Sequence, residues 1–215
     1  MSSSAVSARS ARLFVIAAPS GAGKTTLVKA LVERTPGLTF SVSYTTRTKR
    51  ITEEEGKDYF FVTEEQFLQL ERQGEMLESA QVFDNRYGTG RAQVESRLAE
   101  ERDVVLEIDW QGARQVRQSK PDCESIFILP PSLTELERRL RDRRTDSEAV
   151  IERRLKDAIS DISHWNEFDY VIINDDLRKS VLELEAIITG TGGHHQNRSD
   201  NPEMRARINQ ILTAA

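Results

Sequence analysis

A short apolar run, LFVIAA at residues 13–18, leads into the turn APSGAGKTT (18–26) and then into TTLVKALVERT. The run is continuous rather than alternating, as in a strand buried on both faces. Beyond the turn, Leu27, Val28, Leu31 and Val32 fall on one helical face, and Pro36-Gly37 stops the pattern. A buried strand joined to a helix by a glycine-rich turn constrains this chain more than any other feature. It predicts the first βα unit of a parallel sheet. The turn also fits the phosphate-binding pattern G-x-x-x-x-G-K-[ST] at Gly23, Lys24 and Thr25, with Ala18 in place of the first glycine. Such a loop works through its backbone: successive N–H groups and the positive end of the helix face phosphate oxygens. Gly21 and Gly23 let the chain curl, Lys24 brings a charge, and the Thr25 hydroxyl suits a magnesium ion. Alanine is acceptable at position 18 wherever φ stays negative.

Three further apolar runs, at 103–109, 124–130 and 169–174, read as strands separated by helical segments. Ser132 and Glu135 predict a capping box at the start of one of these helices. Alternating strands and helices predict an α/β fold with a parallel sheet covered on both faces. Residues 44–97 differ. Their apolar runs are short (59–62 and 75–83), with Thr63 and Gln66 capping a helix between them, so they read as a small mixed lobe inserted into the core. A last helix has Asn201 as cap, Pro202 at its first position, and Met204, Ile208, Ile211 and Leu212 on one face.

The chain has 215 residues, 38% hydrophobic and 30% charged, which suits one ample core. A net charge of -5 argues against general nucleic-acid binding, although arginines cluster at 47–50 and 138–144. The single Cys123 fits a buried apolar role in a reducing compartment, and no run is long enough to span a membrane. Residues 1–10 read as a disordered tail and not as a secretory signal.

Several polar residues stand where chemistry needs them. Asp109 ends the second core strand, with Glu107 two residues earlier on the same face; alone it reads as a helix cap, beside the loop as magnesium support. Arg47 and Arg50 lie close to Ser43, and Tyr59, Tyr87 and Thr89 follow; arginine forks and tyrosine hydroxyls are what a second phosphate group needs. Glu78 is a lone carboxylate in an apolar strand, able to accept from the two adjacent donors of a guanine edge.

From about residue 11 to 190 the chain resembles the bacterial guanylate kinases. The resemblance rests on APSGAGKT, VSYTTRTKR, EGKDYFFV, NRYGTG, IDWQGA, IFILPPS, LERRLRDR and VIINDD. It implies a P-loop three-layer fold with a five-stranded parallel sheet, a mixed GMP-binding lobe and a helical lid. The implied division is a core of 11–43 and 98–190, a lid near 138–156, a GMP lobe at 44–97, and a linker with C-terminal helix at 191–215. It implies cytoplasmic transfer of phosphate from ATP to GMP, with Mg2+. Ala18, Pro19, Ser20, Gly21, Ala22, Gly23, Lys24, Thr25 and Thr26 would bind ATP, with Asn174 near the adenine. Ser43, Glu78 and Thr89 would read guanine. Arg47, Arg50, Tyr59 and Tyr87 would hold the GMP phosphate, with Asp109 on the GMP side and, through water, on the metal held by Thr25. Lys24, Arg47, Arg139, Arg143 and Arg154 would carry catalysis, the last three from the lid. Closure over both substrates would keep water from ATP.

Three positions depart from the family pattern: Glu107 replaces aspartate, Lys49 replaces proline, and ITEEEG adds negative charge near the phosphate site. His194 and His195 read as linker residues. The partners implied are GMP and ATP, with no nucleic acid or membrane; the oligomeric state stays open, a homo-oligomer included. Two other readings stand beside this one. A kinase for another nucleoside monophosphate is opposed by Glu78, Ser43 and Thr89. A non-catalytic interaction module is opposed by the intact Lys24 and Thr25.

Overall fold

The computed structural model describes residues 10–82, 84–142, 147–193 and 202–213. The N-terminal segment 1–9, Arg143, His194, His195 and Asn201 lie outside the described residues. Strand β1 (Leu13–Ala17) is followed by α1 (Lys24–Arg34), β2 (Leu38–Phe40), β3 (Ser43–Thr45), β4 (Phe60–Phe61) and α2 (Glu64–Arg72). Then come β5 (Met76–Val82), β6 (Asn85–Gly90), α3 (Arg91–Ala99), β7 (Asp103–Glu107), α4 (Trp110–Ser119) and β8 (Glu124–Leu129). The chain continues through α5 (Leu133–Asp142), α6 (Glu148–Ile162), β9 (Tyr170–Ile173), α7 (Leu177–Ile188) and α8 (Pro202–Thr213).

The main sheet has five parallel strands in the order β2-β7-β1-β8-β9, which places β1 at its centre. Alternation along β1 separates two cores. Phe14 and Ile16 pack on one face against Leu27, Val28 and Leu31 of α1 and Val181, Leu184 and Ile187 of α7. Leu13, Val15 and Ala17 face the other core, built with Val94 of α3, Ala113 and Val116 of α4, Ile162 of α6, and Ile208 and Ile211 of α8. Helices thus cover both faces, giving three layers. Among the described residues no helix is long and apolar enough to cross a membrane.

A second sheet has the order β4-β3-β6-β5, with β3 parallel to β4 and antiparallel to β6. Helix α2 covers it through the fully buried Phe67 and starts with the expected capping box of Thr63 and Gln66. The outer edge of β5 does not stay open. The Gln115 side chain of α4 accepts from the Ser79 N–H at 3.1 Å and donates to the Ser79 carbonyl at 2.7 Å. One amide thus stands in for a neighbouring strand, which protects the edge and fastens the second sheet to the core helix.

Candidate active site

The loop between β1 and α1 takes the shape its composition predicts. Gly21 (φ 91°) and Gly23 (φ 94°) lie in the left-handed region, where side chains are costly. Outside glycine, Glu101 alone among the described residues has positive φ, so Ala18 sits in ordinary backbone and the missing glycine is no obstacle. The rim of the loop is braced from two elements. Asn174, buried after β9, donates its amide to the Ala22 carbonyl at 2.7 Å. Arg139 of α5 donates to the same carbonyl at 3.3 Å and to the Asn174 carbonyl at 3.1 Å, while Glu135 holds its Nε at 2.8 Å. Asn174 is therefore a structural brace of the loop, a role its sequence position does not reveal. Lys24 opens α1 and donates Nζ to the Ile108 carbonyl at 2.6 Å.

The two acidic residues at the end of the second core strand separate. Strand β7 ends at Glu107, and Asp109 is the N-cap of α4, accepting from the Gly112 N–H at 2.7 Å. They do not share a strand face. The carboxylate beside the loop is Glu107, whose Oε1 accepts from the Thr25 hydroxyl at 2.5 Å. A hydroxyl and a carboxylate are hard oxygen donors, and they suit a magnesium ion that keeps most of its waters. Among the described residues no group of three or more His, Cys, Asp or Glu side chains is placed to hold a metal ion.

The proposed base readers stand in a row. Ser43 on β3 is directly opposite Thr89 on β6, and Thr89 is directly opposite Glu78 on β5. All three are buried. A bulge between Met76 and Glu78 sets this register; it lets Leu77 turn into the main core while Glu78 meets Thr89. The Thr89 hydroxyl donates to Glu78 Oε1 at 2.6 Å. Burial pushes the Glu78 carboxyl up to about 7, and nearby Asp109 pushes the same way, while Thr89 and Lys24 favour the charged form.

Two residues along β6, Tyr87 shares the face of Thr89 and meets Tyr59 edge-on, with ring centroids 6.0 Å apart. The Arg47 guanidinium lies 5.4 Å from the Tyr59 ring centroid. Its Nη1 and Nη2 are taken by Glu53 at 3.1 and 2.7 Å, and the Arg50 N–H donates to the same carboxylate at 2.8 Å. Burial opposes the charge on each partner, yet the pair holds Arg47 above and Glu53 below their usual ranges. Glu53 thus orients the Arg47 guanidinium and holds the backbone of Arg50. The nearest sequence signal was its place three residues after Arg50 in the acidic segment. Asp58, next to Tyr59, meets Lys29 of α1 at 2.8 Å and ties this cluster to the loop helix.

Arg154 is half-buried on α6, on the face that also carries the buried Ile151 and Ala158. Further along that helix Asp161 accepts from Trp110 Nε1 at 3.0 Å, and Trp110 stacks on His164 with centroids 3.6 Å apart. These contacts join the C-terminal end of α6 to the first turn of α4. Nothing in the sequence paired residues 51 positions apart.

The central parallel sheet, the glycine loop at the end of β1 and Arg139 of α5 on the rim of that loop define a P-loop phosphotransferase. The guanylate kinase family model matches residues 10–191. The chain is 55% identical over 175 residues to the guanylate kinase of Hydrogenovibrio crunogenus, covering 81% of this chain and 85% of that one. It is 48% identical over 200 residues to that of Alkalilimnicola ehrlichii, covering 93% and 98%. The crystal structure of guanylate kinase from Anaplasma phagocytophilum superposes with a TM-score of 0.71 at 34% identity, over 94% and 96% of the two chains. The chain belongs to the guanylate kinase family.

Proposed function

We propose that this protein transfers the γ-phosphoryl group of ATP to GMP, giving ADP and GDP, in the cytoplasm. The observation that carries the choice of acceptor is the row Ser43, Thr89 and Glu78 across three adjacent strands. A buried carboxylate facing a nucleotide cleft suits guanine, whose ring N–H and amino group donate side by side. Tyr59, Tyr87, Arg47 and Arg50 hold the GMP phosphate, with Glu53 fixing the Arg47 fork. Residues 44–97 act as the GMP lobe on a core of 11–43 and 98–190, and the segment near 138–156 acts as the lid.

On the donor side the backbone of residues 18–26 cradles the ATP phosphates. Lys24 leaves the Ile108 carbonyl for the terminal phosphates, Thr25 and Glu107 would hold a magnesium ion, and Asp109 would support it from the GMP side. Such an ion would neutralise negative charge on the ATP phosphates. Arg139, Arg143 and Arg154 neutralise the charge that develops on the transferring group. No protein nucleophile is needed: an oxygen of the GMP phosphate attacks in line, and the chain supplies placement and charge. A coupled assay with ATP and each nucleoside monophosphate tests the proposal. A rate with AMP or CMP equal to that with GMP would overturn it.

Glu78 makes the base choice quantitative. Each charge-assisted bond to guanine contributes roughly 1.5–3 kcal/mol, so losing both gives discrimination of at least about a hundredfold. Glu78→Ala loses GMP activity and with it the preference over AMP, and Glu78→Gln falls between because its amide oxygen accepts without charge. The measurement is kcat/KM for GMP and AMP in the three proteins; an unchanged GMP/AMP ratio in Glu78→Ala would remove Glu78 as reader.

The raised pKa of Glu78 also sets a pH dependence. Guanine needs the ionised carboxylate, so kcat/KM for GMP falls as pH drops below about 7. The GMP phosphate titrates near pH 6 as well, so Glu78→Gln serves as the control that lacks the carboxylate step. Stability runs the other way. Between about pH 4.5 and 7 the folded free protein keeps a proton that the unfolded chain has lost, so stability declines as pH rises through that window. Melting curves of wild type and Glu78→Gln measure this, and parallel pH profiles for the two would contradict it.

A further inference from the structure

We infer that Gly112, in the first turn of α4, is a specificity-determining position: its lack of a side chain sets where the Glu78 carboxylate stands. The inference rests on the reading of Glu78 as the guanine acceptor.

Gly112 lies within helix α4, and its φ is outside the left-handed region. Nothing in the backbone calls for glycine there, and alanine is the better helix former. What glycine provides is space. A Cβ at this position would stand 2.4 Å from Glu78 Oε2 and 3.0 Å from Glu78 Cδ, while Asp109 Oδ1 lies at 3.4 Å. The first distance is too short for a real contact and the second is tight, so the carboxylate has to move. Its freedom to do so is limited. Glu78 is buried, and the Thr89 hydroxyl holds its other oxygen at 2.6 Å. A methyl group at 112 therefore breaks the Thr89 bond or swings Oε2 away from the plane in which it meets the base. Because the obstructed atom is a side-chain tip, the fold absorbs the change and the base reader does not.

The same turn connects to the donor side. Asp109 Oδ1 accepts from the Gly112 N–H at 2.7 Å, and the preceding Ile108 carbonyl accepts from Lys24 Nζ. A disturbance confined to Glu78 must therefore be told apart from one that spreads to the phosphate loop, and the KM for ATP makes that distinction.

The test is a cycle of Gly112→Ala, Glu78→Ala and the double variant, with kcat/KM for GMP and AMP, KM for ATP and the melting temperature of each. The expected result for Gly112→Ala is a melting temperature at or above wild type and an unchanged KM for ATP. Its GMP/AMP ratio falls about tenfold to a hundredfold, the scale of a misplacement near 1 Å. In the Glu78→Ala background, adding Gly112→Ala changes the ratio no further, because the carboxylate it displaces is gone. Wild-type GMP kinetics in Gly112→Ala, a further loss of the same size in the double variant, or equal rises in KM for ATP and GMP would each overturn the inference. If Gly112→Ala does not fold, recovery of the fold in the double variant supports the clash with Glu78, and failure of both overturns it. A Glu78→Ala protein that keeps the wild-type ratio sinks the guanine reading itself. Collapse in Glu78→Ala with no effect in Gly112→Ala sinks this inference alone.

Discussion

Lys24→Ala loses phosphoryl transfer by a factor of about 10³ while the chain stays folded. The lysine is the one charged side chain of the loop, and its Nζ is held beside the phosphate cradle by a single bond to the Ile108 carbonyl. When ATP binds, that ammonium replaces water around the terminal phosphates, in a closed site where a fixed donor is worth more than in solution. The loop itself does not depend on the lysine: its glycines set the curl, and Asn174 and Arg139 hold the Ala22 carbonyl. Removing Nζ leaves the Ile108 carbonyl at the cleft, where water can satisfy it. Turnover, circular dichroism and melting temperature measured together decide the matter. Near-normal turnover in a folded Lys24→Ala protein would end the case for a phosphate-loop kinase.

The second large effect is expected at Arg139. Its guanidinium already touches the loop rim through the Ala22 carbonyl and reaches the Asn174 carbonyl, with Glu135 fixing its orientation. A group in that place gains most as charge builds on the transferring phosphoryl group, and a transition-state arginine contributes roughly 10³–10⁵ in rate. Arg139→Ala therefore lowers kcat by about that factor and leaves KM for GMP within about threefold. Arg139→Lys does not restore the rate, because a single ammonium cannot span two acceptors as a planar fork does. Steady-state kinetics in GMP and in ATP test this. A variant that altered KM alone would reduce Arg139 to a brace of the loop, a role its contacts also support. Arg154, half-buried on the neighbouring helix, follows the same pattern if it serves the same charge.

Much of this molecule is written locally. The 13–18 run, the glycine spacing of the loop and the helical face of Leu27, Val28 and Leu31 each span a few residues, and each gave the element observed. The Thr63–Gln66 cap did so as well. Glu78 stood out because a lone carboxylate in an apolar strand is costly to bury without a purpose. The short strands β2, β3 and β6 and the helix α3 carried no comparable signal. They are too brief or too polar for periodicity to register, and their hydrogen bonds come from segments distant in sequence.

Sequence alone therefore determined the core, the phosphate loop and the identity of the polar residues available to a second nucleotide. It favoured metal support over a helix cap for Asp109. Tertiary structure resolved its contacts: the chain turns after Glu107, so Asp109 caps α4 while Glu107 meets Thr25. Tertiary structure also decided the bulge that brings Glu78 opposite Thr89, the Gln115 clamp on the edge of β5, the Glu53 hold on Arg47 and the clearance above Gly112. The physical reason is range. Periodicity, caps and glycine turns are settled by sterics and hydrogen bonds within a few residues. Register, bulges and the room beside a buried carboxylate arise only when surfaces from distant parts of the chain are pressed together, and a shift of one residue in pairing would point Glu78 to the other side of its sheet.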